Sequence, residues 1–162
     1  MNNEEIMTGV ELEIILKAGK ILLSSGAEIS RTEDTMNYIA RAMNFKDLEA
    51  YVSNRGIFAT AKKADGTEIT RICNVPEVDI NLSKIESVNA LSRRITQKNI
   101  TIEEIESELN QIDTMSDYSF FWRLVAYTLG ASGFSYAIGS SITDSIIAGI
   151  IGLILEIGRA HV

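Results

Sequence analysis

The first apolar residues of the chain keep a helical rhythm. Val10, Ile14, Lys17, Ala18, Ile21 and Leu22 fall mainly on one stripe, and Ser24-Ser25-Gly26 supplies a stop, so a helix is predicted up to Leu23. Thr8-Gly-Val-Glu11 has the form of a capping box, in which a hydroxyl and a carboxylate each satisfy a nearby orphan amide, and it predicts the start of that helix. A second box, Ser30-Arg-Thr-Glu33, predicts a helix running through Met36, Ile39, Ala40 and Met43 to Asn44. The two helices then meet at Gly26-Ala27-Glu28.

From Leu48 the texture becomes β-prone and alternating. Ala50–Ser53, Ile57–Lys62 and Glu68–Val75, separated by Gly56 and Ala64-Asp65-Gly66-Thr67, predict a three-stranded antiparallel meander closed by Pro76, which has no amide for a further ladder bond. Helical spacing returns over Asn81–Ile95 with Leu82, Ile85, Val88, Asn89, Leu91 and Ser92, and Thr101-Ile-Glu-Glu104 caps an acidic helix toward Ile112. The predicted fold of residues 1–117 is therefore an α+β domain: two helices, a meander and two more helices.

Two apolar runs follow. Phe120–Ile138 holds one formal charge, Arg123, and at helical rise it matches a hydrocarbon core of ~30 Å. Tyr118, Trp122 and Arg123 suit an interface, where rings anchor and a long cation snorkels to water. Ile142–Leu155, opened by Ser141-Ile-Thr-Asp144, is the second run. The pairs Ala148/Gly152, Ser145/Gly149 and Ala126/Gly130 each place small residues one helical turn apart, where helix backbones can approach closely in lipid. Transmembrane α-helices are the expectation for residues 118–156, with the lipid bilayer and neighbouring helices as partners; a buried hairpin in a larger soluble assembly is the alternative. Ile157-Gly-Arg-Ala-His-Val162 breaks this pattern and matches a frame of a common sequencing-library adapter, ATC GGA AGA GCA CAC GTC before TGA. The expectation is that residues 157–162 are a non-native tail, that the second span is cut short, and that the natural chain continues in apolar helices.

Charge is segregated in the same way. Up to Asp117 there are 13 Lys/Arg against 20 Asp/Glu, which accounts for the whole formal charge of -7. An acidic domain without a basic stripe repels phosphate backbones, so nucleic acid is excluded as a partner. Cys73 is the only cysteine, which rules out an internal disulfide and a multi-cysteine metal site; a small buried hydrophobe is its expected role. The N-terminus lacks the basic and apolar regions of a secretory signal, which predicts a cytoplasmic first domain. No nucleophile–base pair, dinucleotide fingerprint or phosphate loop is present, so neither a catalytic residue nor a metal or cofactor is expected.

The candidate solute-handling residues are Glu28, Arg31, Glu33, Arg71, Arg123 and Asp144. Arg31 can pair with either neighbouring acid or hold a solute carboxylate in its planar fork, while Glu33 is equally accounted for by the Ser30 box. Arg71 reads as a ligand-binding or a solvated strand residue. Asp144 reads as part of a solute or proton path, or as a helix cap. Gly26-Ala-Glu-Ile-Ser-Arg-Thr-Glu33, Thr70-Arg-Ile, the stretch Ile80–Arg93 and Phe120-Phe-Trp-Arg-Leu-Val-Ala-Tyr127 together resemble the threonine/serine exporter family from helix one to Leu155. That resemblance implies a multi-pass inner-membrane carrier with a cytoplasmic N-terminal domain, built from one chain or two. It implies export of threonine and serine, or of a small dicarboxylate such as succinate in the two-chain form. The implied partners are the remaining transmembrane helices or a second transporter chain, a small polar solute and a second copy of the chain. A membrane-anchored sensing or oligomerisation domain, or a hydrolase-like domain, is the alternative.

Overall fold

The computed structural model describes residues 3–115 and 118–159. It divides into two compact units, Met1–Met115 and Ser116–Val162.

The first unit is built around α1 (Asn3–Ser24). Leu12, Ile14, Ile15, Leu16, Ala18, Ile21, Leu22 and Leu23 are all buried, on more faces than an amphipathic stripe provides, because α1 packs against helices and sheet at once. Leu12, Ile15 and Ile21 have no exposed surface, each a gain of roughly 1.5–3 kcal/mol. The expected start at Thr8 is corrected: the helix begins upstream, at Asn3, and Thr8 is buried within it. Glu11 pairs with Lys63 instead of closing a capping box.

Gly26 ends α1 in the left-handed conformation, φ 85°, with its amide donating to Leu23 O and the Ala27 amide to Leu22 O. Ile80 lies over it, so a side chain there would meet both backbone strain and a neighbour. The chain re-enters helix directly as α2 (Ile29–Ala42). This corrects the Ser30 capping box. Glu28 is the N-cap without a side-chain bond, Thr32 Oγ1 donates to Glu28 O at 3.0 Å, and Ser30 is already inside the first turn.

β1 (Phe45–Ser53), β2 (Gly56–Lys63) and β3 (Glu68–Asn74) form the meander in the order β1-β2-β3, both pairs antiparallel. β1 starts five residues before the expected Ala50, since Phe45 and Leu48 are buried with Val52 and a register shift at Phe45/Asp47 keeps them inward. Ile57, Ala59 and Ala61 of β2 supply the buried face. Tyr51, Phe58 and Ile72, cross-strand neighbours, are exposed on the other. Cys73 is half-buried rather than buried; desolvation pushes its thiol pKa up against an opposing pull from Lys20.

After Pro76 the chain crosses the end of α1, with the Asp79 and Asn81 amides donating to Ser24 O and Ser25 O. Asn81 then caps α3 (Leu82–Thr96), its side chain accepting from the Lys84 amide. α4 (Ile102–Asp113) opens on the predicted Thr101/Glu104 capping box and buries Ile105, Leu109 and Ile112.

The second unit is a helical hairpin of α5 (Phe120–Ala137) and α6 (Ile142–Arg159), joined by a turn at Gly139. α6 does not break at Glu156 as the sequence pattern predicts but continues through Ile157 and Gly158 to Arg159. The rest of the expected tail, 160–162, lies outside the described residues, as do 116 and 117 at the expected domain boundary.

Candidate functional site

A seam between packed helices is ordinarily filled by apolar side chains at i, i+3, i+4 and i+7. Between α2 and α3 the rim of the seam departs from that rule, with Arg31, Asp34, Tyr38 and Arg93 exposed beside the buried Thr35 and Ser92. Arg31, Asp34, Thr35 and Tyr38 hold these spacings on α2, Asn89, Ser92 and Arg93 hold them on α3, and together they line a cavity of about 250 Å³. An adjoining cavity of about 250 Å³ shares Arg31, Thr35 and Asn89 and extends over Leu22, Leu82 and Ile85 to Glu28. The result is one polar groove with an apolar end.

Its hydrogen-bonding state is asymmetric. Thr35 Oγ1 donates to Arg31 O and Ser92 Oγ to Asn89 O, both at 2.9 Å, so these buried hydroxyls face the groove as acceptors. Among the described residues the guanidiniums of Arg31 and Arg93 and the carboxylate of Asp34 have no ion-pair partner, and the half-buried Asn89 amide has no hydrogen bond. The next residue on α3 behaves differently, for Arg94 donates to both Glu108 oxygens at 2.7 Å.

Of the residues singled out from sequence, the structure brings Glu28 and Arg31 together in this groove. Glu33 is not among its lining residues; it is half-buried and its carbonyl accepts from Asn37. Arg71 lies on the strand face of Ile69 and Cys73, its Nη1 donating to Thr70 O and its Nη2 beside Gly9 of α1. Arg93, Asp34, Tyr38 and Asn89 were missed. The signal on α3 was the polar pair Asn89 and Ser92 on its otherwise apolar stripe; for Asp34 and Tyr38 on α2 the local pattern carries none.

In the hairpin, the face of α6 turned to α5 is Ser145, Gly149, Gly152 and Glu156, all buried. A Cβ on Gly149 would lie 2.1 Å from Ser132 Oγ, and one on Gly152 would lie 2.8 Å from Tyr127 O and 3.0 Å from Ala131 Cβ. Two of the expected small-residue pairs thus sit at the helix contact. Ala126 and Gly130 do not, since both are exposed and nothing lies within 4 Å of a Cβ added at Gly130. The large apolar residues point outward: Leu129, Phe134, Ile146, Ile150 and Ile154 are each more than half exposed. Arg123 does not snorkel. Its Nε donates to Glu156 Oε1 at 2.7 Å, its Nη2 contacts the same oxygen, and the Glu156 side chain has no exposed surface. Ser141 caps α6, its Oγ accepting from the Asp144 amide at 3.2 Å and donating to the Asp144 carboxylate at 2.7 Å, so Asp144 belongs to the helix start.

No helix among the described residues is long and apolar enough to cross a membrane. The physical reasons differ for the two runs. α5 is diluted by Arg123 and by serine, threonine and tyrosine, while α6, 18 residues or ~27 Å long, carries Asp144, Glu156 and Arg159.

An α+β unit with a polar interhelical groove, and a hairpin with its small residues inside and its isoleucines outside, define a two-part protein whose second part requires an apolar cover. The chain belongs to the threonine/serine exporter family: residues 13–162 match the family model described as "Putative threonine/serine exporter". The family is one of transporters. No curated protein and no solved structure matches the chain.

Proposed function

We propose that this chain is part of an inner-membrane exporter of threonine and serine, with the α5–α6 hairpin in the membrane-embedded region and the α+β unit on the cytoplasmic side. The observation that carries the reading is the inverted hairpin. In water, burial of hydrophobes drives helices together; in lipid, where tails are as apolar as leucine, small residues pack helices closely and large apolar ones face outward. Ser145, Gly149 and Gly152 inside, with Ile146, Ile150 and Ile154 outside, follow the second rule. The Arg123–Glu156 pair supports it, because two opposite charges joined in the hairpin are cheaper at membrane depth than either alone. Further helices or a second chain would supply the rest of the pathway.

The export reading is tested by loading cells with a threonine-containing dipeptide and following efflux. Loss of the gene should slow threonine and serine efflux; unchanged efflux of both would refute it, and a defect confined to succinate would move the protein to the dicarboxylate form. The membrane reading is tested by alkaline extraction, where recovery of the chain as a monodisperse protein without detergent would refute it. Within the α+β unit Arg31, with Glu28, is the preferred solute-handling residue, and Arg31→Ala is expected to reduce export more than Arg71→Ala at matched abundance.

A further inference from the structure

We propose that the α2–α3 groove is a receptor site for the zwitterion of a small hydroxylated α-amino acid, through which the α+β unit senses the concentration of the transported solute; the identity of that solute rests on the exporter reading, the charge pattern of the groove does not. The ionisable groups that line the groove, Arg31, Asp34 and Arg93, are solvent-exposed and have no ion-pair partner among the described residues, so they are free to meet a solute. Here the two cations lie on facing helices, Arg31 on α2 and Arg93 on α3, and each offers a planar fork suited to a carboxylate. Asp34 lies one turn from Arg31 on the same face and offers an acceptor for an ammonium group. Asn89 lines both cavities with its amide uncommitted, and the hydroxyl oxygens of Thr35 and Ser92 remain as acceptors for a ligand hydroxyl.

The balance of charge selects the ligand class. Arg31 and Arg93 against Asp34 and Glu28 make the lining neutral as a whole, so a neutral zwitterion finds each of its poles matched, whereas a dicarboxylate or phosphate meets two carboxylates it must repel. Each cavity, about 250 Å³, falls just below the ~300–1,000 Å³ of drug-sized sites and suits a molecule of a few heavy atoms.

The experiment is isothermal titration of the full chain in mild detergent with L-threonine, L-serine, succinate and inorganic phosphate as probes. Threonine and serine should bind and the two anions should not. Arg31→Gln and Arg93→Gln should each weaken threonine binding about tenfold or more, the loss of one charge-assisted contact. Arg94→Gln, one residue outside the groove, should leave binding unchanged. Asp34→Asn, which makes the lining net positive, should weaken threonine and admit succinate. Absence of threonine binding at saturating concentration, binding that survives the Arg31/Arg93 double substitution, or preference of the unmodified chain for succinate or phosphate would each overturn the proposal. The two readings fail separately. Titration uses no gradient and no transport, so normal efflux without binding sinks the groove alone, and binding without any efflux phenotype sinks the exporter reading alone.

Discussion

The Lys63 ammonium lies 2.5 Å from Glu11 Oε2 and 5.4 Å from the centre of the Phe45 ring, so one cation ties the middle of α1 to the end of β2 and the start of β1. Both side chains are largely withdrawn from water, 9% exposed for Glu11 and 20% for Lys63. Lys63→Met should therefore destabilise the first unit by about 1–3 kcal/mol, less than for a fully buried pair because the ammonium keeps some solvent. Adding Glu11→Leu should recover much of the loss. Urea titration of the two variants checks this, and a double variant no more stable than the single would show that the pair is not the cause.

The helix contact in the hairpin gives a paired prediction. Gly152→Ala places a methyl against the Tyr127 carbonyl, which cannot move aside as a flexible side chain could, and should separate α5 from α6 at a cost of about 1–3 kcal/mol. Gly130→Ala meets nothing and should be neutral or stabilising by up to ~1 kcal/mol through helix propensity. Thermal unfolding in detergent compares them; equal melting temperatures would contradict the contact.

These outcomes separate what local pattern can and cannot announce. The meander, the Thr101/Glu104 cap and the Asn81 helix start were legible because each is decided within a few residues by alternation, turn residues or a side chain reaching its own backbone. The Thr8 and Ser30 boxes were equally well formed as text and were overridden, Thr8 by burial of α1 on many sides and Ser30 by the tight Gly26 turn. Of the groove, Glu28 and Arg31 were legible as a charged helix junction. Arg93 was not, because its role depends on α3 lying beside α2, a contact between segments separated by the whole sheet. Glu156 was hidden for the same reason: its partner Arg123 lies a full helix away.

The Glu104 carboxyl is held below its ordinary range by hydrogen bonds from Thr101, the backbone bond first. Since the folded value is depressed, its contribution to α4 is present above the unfolded carboxylate pKa and lost as pH falls through the folded value. Glu104→Gln should therefore lower the melting temperature at pH 7 and make little difference at the acid end of that window. A deficit of equal size at both pH values would assign the effect to something other than the charge.

Arg123→Leu should be more damaging than Arg123→Lys, because it leaves the Glu156 carboxylate buried without a counter-charge while lysine preserves one. Glu156 Oε2 already has no hydrogen-bond partner among the described residues, which leaves little to compensate the loss. Replacing both residues by leucine and glutamine should restore part of the lost abundance. Equal abundance of the leucine and lysine variants in membranes would remove the argument.

The inverted hairpin also imposes an order in time. Its helices are adjacent in sequence and joined by a turn in which Gly139 and Ser140 donate to Tyr136 O and Ser135 O, so it can close as soon as α6 leaves the ribosome. The first unit has been synthesised by then and can already have buried α1 in water. An object with Ile146, Ile150 and Ile154 on its outside has no such freedom, because any delay in water exposes it to its own copies. On the exporter reading, delivery to the bilayer is therefore expected during translation, with the exposed isoleucine face of the hairpin as the first apolar surface the chain presents.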